Sequence, residues 1–334
     1  MTRPQTRLDA GRILVTGGAG FIGSALIWAL NQRGLDDVLV TDVLGTSDKW
    51  RNLVPLSIRD YVEADDFLDA LRTTPAHFDD VRTVFHLGAI SATTERDASL
   101  LVHNNIDYTK ALATWALGRG AGFVYASSAA TYGDGSAGMS DTADLATLRP
   151  RNAYGFSKHA FDRWALRHGV LDRVVGCKYF NVFGPNEAHK GDMRSVVAKA
   201  YEQIVAGGSV RLFRSHRPDY RDGEQQRDFV WVKDAVAATL HLAESPATGL
   251  FNVGSGTAQT WLDLVTPIFT ALGRPPAIEF VDMPESLRAG YQYHTQADVG
   301  RLRATGWTQA ATPLADAVTE YVREHLVSDR RLGD

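Results

Sequence analysis

Tyr154 and Lys158 stand four residues apart in YGFSK, a spacing that on a helix puts the lysine ammonium beside the phenol. A cation so placed stabilises phenolate and lowers the tyrosine pKa toward a range useful for moving protons. The same lysine can hydrogen-bond a ribose. Tyr and Lys at helical spacing are usually a surface pair, so the pair alone decides little. Upstream, YASS (125–128) sets Ser127 and Ser128 at the end of an apolar run. A hydroxyl there either bonds a substrate oxygen beside the tyrosine or closes a local turn. A third candidate, Lys190, lies in FNVFGPNEAHKGDM (180–193), past a glycine–proline turn, in a stretch that reads neither as a helix nor as a core strand. Most such lysines are solvated, but desolvation or a neighbouring cation would let one titrate usefully.

Positioning these groups falls to a repeating pattern of strands and helices. RILVTGGAGFIGSALIWALNQRG (12–34) opens with a β-branched strand and continues with helical apolar spacing. Between them stands Gly17-x-x-Gly20-x-x-Gly23. Gly17 permits a tight turn, Gly20 lets the backbone approach a pyrophosphate, and Gly23 lets helix pack on strand. The free N–H groups of the helix start then face phosphate. A second strand, DDVLVTDV, ends at Asp42, nineteen residues after Gly23, where a carboxylate suits the ribose hydroxyls of an adenosine. Asp42 favours NAD, since it repels a 2′-phosphate, while Lys49 and Arg51 could pair with one. The residues leave NAD and NADP both open.

Alternation continues through a strand at 83–89, a long helix at 97–119 containing Asn104, and a strand at 122–133. A helix at 152–169, a strand at 173–184, the run 228–244, the strand FNVGSG (251–256) and a helix at 260–272 follow. This pattern predicts an α/β fold, a Rossmann-type doubly wound parallel sheet with a smaller, discontinuous α/β substrate domain. Composition shifts toward charge and turns after Gly184. The expected division is 12–184 plus 228–258 for the dinucleotide domain and 185–227 plus 259–330 for the substrate domain.

At 334 residues, 44% hydrophobic and 22% charged, the chain reads as a globular protein able to bury a sizeable core. A formal net charge of −4 gives no global attraction to nucleic acid or anionic membrane. The single cysteine, Cys177, sits in an apolar run and reads as a buried thiol. The polar N-terminus, MTRPQTRLDAGR, offers no signal-peptide core, and no stretch approaches a membrane span. A cytoplasmic location is expected, with neither a nucleic-acid nor a membrane partner and no bound metal.

Taken together, TGGAGFIG, HLGA, YASSAATYG, YGFSK, YFNVFGP, RDFVWVKD and FNVGSG resemble the extended, nucleotide-sugar branch of the short-chain dehydrogenase/reductase superfamily over nearly the whole chain. ISATTE (90–95), SSAATYG (127–133), NVFGPNEAHKGDM (181–193) and YQYHTQAD (291–298) are most similar to its ADP-heptose 6-epimerases. The resemblance implies an ADP-activated heptose inverted at C6 and a tightly held nicotinamide cofactor, usually NADP. It also implies a homo-oligomer, commonly a pentamer, and a place in lipopolysaccharide core or secondary-metabolite synthesis. By the same resemblance Ser128, Tyr154, Lys158 and Lys190 are catalytic, Tyr154 and Lys190 being the two acid/base groups. Gly17, Gly20, Phe21, Ile22, Gly23, Asp42, Val43, Lys49, Leu87, Gly88, Ala89, Ile90, Ser91, Asn104, Tyr154, Lys158 and Val182 fall on cofactor positions. Ser128, Asn181, Lys190, Asp192, Lys199, Phe213, Arg214, Ser215, His216, Arg227 and Tyr291 fall on substrate positions, Arg227 suiting a pyrophosphate.

The sequence departs from the enteric pattern at four places: Asp192 replaces serine, Lys199 replaces histidine, Ala64 replaces a phosphate-binding lysine, and the segment 214–226 is longer. The same scaffold also carries 4-epimerases and dehydratases. A cofactor-sensing protein without turnover is a further alternative, against which Ser128, Tyr154 and Lys158 argue.

Overall fold

A computed structural model describes residues 7–288 and 291–334, so the first six residues of the polar N-terminal run lie outside it. Its main sheet is built from β1 (Arg12–Thr16), β2 (Val38–Asp42), β3 (Asp60–Glu63), β4 (Val81–His86), β5 (Gly122–Ser128) and β6 (Val175–Tyr179), joined at the edge by a later strand, Gly249–Val253. All neighbouring pairs are parallel. From the 249–253 edge the order is that strand, then β6, β5, β4, β1, β2, β3, so it reverses at β1. Such a reversal opens a crevice above the carboxyl ends of β1 and β4, where ligands of doubly wound sheets sit. The central strands are buried on both faces, which is why they read as continuous apolar runs rather than alternating ones.

Helix α1 (Phe21–Asn31) follows β1, and α2 (Ala64–Thr73) follows β3. The expected 97–119 helix is α3 (Ala98–Leu101), a π-helical turn over Val102–Asp107, and α4 (Tyr108–Gly118). α5 (Ala153–Arg167) follows β5, α6 (Val196–Gly207) comes after β6, and α7 (Val232–Glu244) precedes the edge strand. α1 packs with α7, and the 98–118 run packs with α5. Because the strand order reverses, right-handed crossovers put α1, between β1 and β2, and α5, between β5 and β6, on opposite faces, and α7 lies on the face of α1.

The strand expected at 173–184 is broken. It ends as β6 at Tyr179, Phe180 donates its N–H to Val253 O at 3.1 Å, and β7 (Asn181–Phe183) enters a second sheet. That sheet joins β7, a strand at Gln226–Trp231 and one at Ala258–Thr260. A two-stranded sheet pairs Val210–Phe213 with Ile278–Val281. Two of the small sheet's strands, 226–231 and 258–260, therefore straddle the boundaries expected at 227/228 and 258/259. The stretch 180–193, which as sequence reads neither as helix nor as core strand, contains β7 and a 3₁₀ segment, Ala188–Met193, kinked at Gly191. Among the described residues no helix is long and apolar enough to cross a membrane.

Candidate active site

The floor of the crevice is the glycine turn. Gly17 has φ 68°, and a Cβ on it would lie 2.5 Å from the Gly88 backbone. Its N–H donates to Thr41 O at 2.7 Å, and Gly20 N–H donates back to Gly17 O at 3.0 Å. At Gly23 a Cβ would stand 2.1 Å from Gly17 O, so only glycine lets α1 start this close. Beneath the turn, buried His86 bridges Thr16 Oγ1 at 2.7 Å and Thr109 Oγ1 at 2.8 Å. Burial holds that imidazole down to about 3, with the Lys158 charge adding to the effect, so it is neutral. Gly17→Val combines a positive φ with this clash, and is expected to weaken cofactor retention at least roughly 100-fold. Nicotinamide release after gel filtration reads this out.

Asp42 closes β2 and rims the crevice. Its carboxylate accepts the Ala19 N–H at 3.0 Å, the Val43 N–H at 2.7 Å and the Lys49 ammonium at 2.7 Å. Val43, an expected cofactor residue, is exposed and does not line the cleft. Arg51 turns the other way, toward Asp329 at 3.2 Å.

The chemistry lies at the ends of β5 and α5. Asn152 caps α5 by accepting Gly155 N–H at 2.7 Å, which starts the helix one residue before Tyr154. Gly155 fits there because a Cβ would meet Ala130 O at 2.8 Å. Ser128, Tyr154 and Lys158 face one cleft with the glycine turn, Asp42, Lys49 and the 87–91 loop. Burial raises the Tyr154 phenol and the Ser128 hydrogen bond opposes it. This corrects the expected lowering by Lys158, whose own charge is disfavoured: burial pushes its ammonium down to about 8, with Asp162 opposing.

Lys190 reaches the same cleft from a different element, the 3₁₀ segment. Its ammonium lies 5.1 Å from the centre of the Phe21 ring. Burial lowers it and Glu187 opposes. The segment is pinned at its base. Glu187 accepts Ser195 N–H at 2.6 Å and the Tyr321 hydroxyl at 3.0 Å. Asn186, at φ 75°, donates to Ser24 Oγ on α1 at 2.9 Å, and its carbonyl accepts Asn52 Nδ2 at 3.0 Å. Lys190 is thus a half-buried group on a fixed support.

Of the expected cofactor residues, Gly17, Gly20, Phe21, Ile22, Gly23, Asp42, Lys49, Leu87, Gly88, Ala89, Ile90, Ser91, Tyr154, Lys158 and Val182 line this cleft together. Asn104 does not: it is exposed and donates to Leu100 O at 3.0 Å. The π turn sets its neighbour inward instead. Asn105 Oδ1 accepts Ile90 N–H at 2.9 Å, and its Nδ2 donates to Ile90 O and Ser157 Oγ. Its signal in the sequence is only that two asparagines adjoin. His189 is a second residue the sequence reading passed over. It lines the cleft, and burial, with Lys49 and Lys190 adding, holds it down to about 4.

The expected substrate residues spread outward. Asn181 and Asp192 are exposed, and Lys199 donates to Asp192 O at 3.3 Å. Glu187, not Asp192, is the carboxylate acting on Lys190. Arg227 is buried, its guanidinium 5.5 Å from the Trp261 ring centre and 5.1 Å from that of Tyr291, while Trp261 Nε1 donates to Tyr291 Oη at 2.9 Å. At the longer loop, Gln225 donates to Phe213 O at 3.2 Å and Arg214 faces Asp222. Ser215 N–H donates to Asp222 at 2.8 Å, and His216 N–H donates to Tyr293 Oη at 3.0 Å.

The glycine turn, the ribose-facing acid and the polar groups at the strand ends fit a dinucleotide. Residues 13–254 match the model of the NAD dependent epimerase/dehydratase family. A protein of Nitratidesulfovibrio vulgaris named ADP-L-glycero-D-manno-heptose-6-epimerase is 53% identical over 320 residues, 94% of this chain and 98% of that one. The solved structure of the Helicobacter pylori protein of the same name is similar at TM-score 0.79 and 29% identity, covering 97% of this chain and 99% of that one. The Thermus thermophilus UDP-glucose 4-epimerase in complex with NAD is similar at TM-score 0.73 and 27% identity, over 93% and 99% of the two chains.

Proposed function

Since the chain belongs to the NAD dependent epimerase/dehydratase family, we propose that it is an isomerase converting ADP-D-glycero-β-D-manno-heptose to its L-glycero epimer at C6. The observation that carries the reading is the pair of proton-handling groups, Tyr154 and Lys190, facing one cleft from different elements. A secondary alcohol carbon has no acidic C–H, so inversion at C6 proceeds by oxidation to a planar ketone and re-reduction from the other face. A nicotinamide dinucleotide would be held by the glycine turn at its pyrophosphate, by Asp42 at its adenosine ribose and by Lys158 at its other ribose, and would supply the hydride acceptor and donor. Tyr154, with Ser128 beside it, removes the proton from the C6 oxygen in one half-reaction. After the exocyclic arm turns, the oxygen points elsewhere, and Lys190 delivers the proton there. Arg227 and the 213–216 segment serve the ADP moiety. Proton NMR of the product from ADP-D-glycero-heptose tests the reading: a changed C6 signal is expected, and an unchanged C6 configuration contradicts it.

On the cofactor, the geometry favours NAD over the NADP that the resemblance implies. Asp42 ends β2, and Glu63 ends the adjacent β3, accepting Leu44 N–H at 3.3 Å. A 2′-phosphate there meets two carboxylates with Lys49 alone to offset them, since Arg51 is drawn to Asp329 and Ala64 carries no charge. NAD is expected to bind at least roughly tenfold tighter than NADP, with Asp42→Asn closing the gap. Isothermal titration of the stripped protein checks this, and a parent preference for NADP contradicts it.

A further inference from the structure

Behind the catalytic face lies an ion pair for which the mechanism so far has no use. Asp162, one turn beyond Lys158 on α5, is 0% exposed at its side chain, and Lys178, on β6, is 1% exposed. Lys178 Nζ donates to Asp162 Oδ2 at 3.0 Å and to Thr131 Oγ1 at 2.6 Å. The other bonds of Asp162 run to β5: Oδ1 accepts the Tyr125 hydroxyl and Oδ2 accepts Ser127 Oγ, each at 2.8 Å. Thr131 donates to Ser128 O at 2.8 Å, and Ser128 Oγ accepts Ala130 N–H at 3.1 Å. The network therefore holds the strand end carrying Ser128 against the helix carrying Tyr154 and Lys158.

We propose that Asp162 and Lys178 are positioning residues: Asp162 ties β5 to α5 and faces Lys158 with a negative charge, and Lys178 balances that charge. Taking two charges out of water costs about what their attraction returns, so fold stability alone does not account for the pair. Its effect is electrostatic and falls on Lys158. The titratable groups facing Lys158 are Asp162 along its own helix, Tyr154 one turn back, and neutral His86 from β4. Those facing Asp162 are Lys178 from β6, Tyr125 from β5, Tyr132 after it, and His159 on α5. Asp162 holds the Lys158 ammonium in its charged form despite burial, and Lys178 limits how far.

This inference rests on Lys158 serving the proposed site beside Tyr154, but its test needs no substrate. Protein carrying carbon-13 at lysine Cε is titrated by NMR, the Lys158 resonance being assigned by its loss in Lys158→Arg. Asp162→Asn removes the facing negative charge and is expected to move the Lys158 midpoint down by about one pH unit. Lys178→Met removes a like charge and is expected to move it up by a comparable amount, while Lys178→Arg keeps the parent midpoint. The alkaline limb of the turnover profile should follow in the same directions. A merely structural pair moves neither midpoint, and that result in folded variants overturns the proposal. If Asp162→Asn does not fold, Lys178→Met decides alone: a parent-like midpoint overturns the proposal, and an upward shift upholds it. A parent protein that does not epimerise would overturn the function proposed above and leave this titration standing.

Discussion

Tyr154→Phe is expected to slow C6 epimerisation by about three orders of magnitude while the protein keeps its fold and its cofactor. The change deletes one oxygen from a half-buried side chain, and the ring stays in the cleft. What it removes is the group proposed to accept the C6 hydroxyl proton as the carbon is oxidised, and general acid–base catalysis contributes roughly 10²–10⁴-fold. Ser128 cannot substitute. Its hydroxyl already accepts Ala130 N–H, and with no strong base beside it an alcohol holds its proton near neutral pH. Steady-state rates by NMR, with the bound nicotinamide measured on the same sample, separate a chemical loss from a binding loss. A variant within tenfold of the parent would show that Tyr154 moves no proton.

Lys190→Ala is expected to lower net inversion by at least roughly 100-fold, again with cofactor retained. Inversion differs from simple oxidation in needing a proton group on each side of the turning arm, and Lys190 lines the cleft from a different element than the α5 pair. Burial lowers its ammonium, which brings it closer to donating and recovering a proton near neutral pH. Lys190→Arg should not restore activity, because a guanidinium keeps its proton. The loop should survive both changes, since Glu187 and Asn186 hold it through Ser195, Tyr321, Ser24 and Asn52 rather than through the lysine. Full activity in Lys190→Ala would remove it from the proton path.

The parts of this site that the sequence made legible are those set by short-range rules. Gly17 and Gly23 announce a backbone turn because no other residue fits at either, and Tyr154 with Lys158 announces a helix face by spacing alone. Asp42 follows from its distance to the glycines. Long-range packing hid the rest. Lys178 sits inside VVGCKYF and reads as one polar residue in a strand; only the α5 carboxylate opposite it explains its burial. Asn104 and Asn105 are indistinguishable until the π turn over Val102–Asp107 shifts the helix phase. The break at Phe180, which sends β6 and β7 into different sheets, has no glycine or proline in YFNVF to mark it. The direction of the Tyr154 shift was also out of reach, because burial, not the neighbouring lysine, dominates it.

Transient oxidation at C6 is the step on which the proton-handling roles of Tyr154 and Lys190 depend, and an isotope at that carbon tests it. ADP-D-glycero-heptose deuterated at C6 is incubated with the protein in ordinary water, and the recovered sugar is resolved by NMR and mass spectrometry. Both C6 epimers are expected, with deuterium retained at C6 in each, because the hydride leaves and returns within one closed site. Loss of deuterium to solvent in the inverted product, or recovery of the starting epimer alone, would contradict inversion by hydride transfer to and from a nicotinamide with Tyr154 and Lys190 handling the protons.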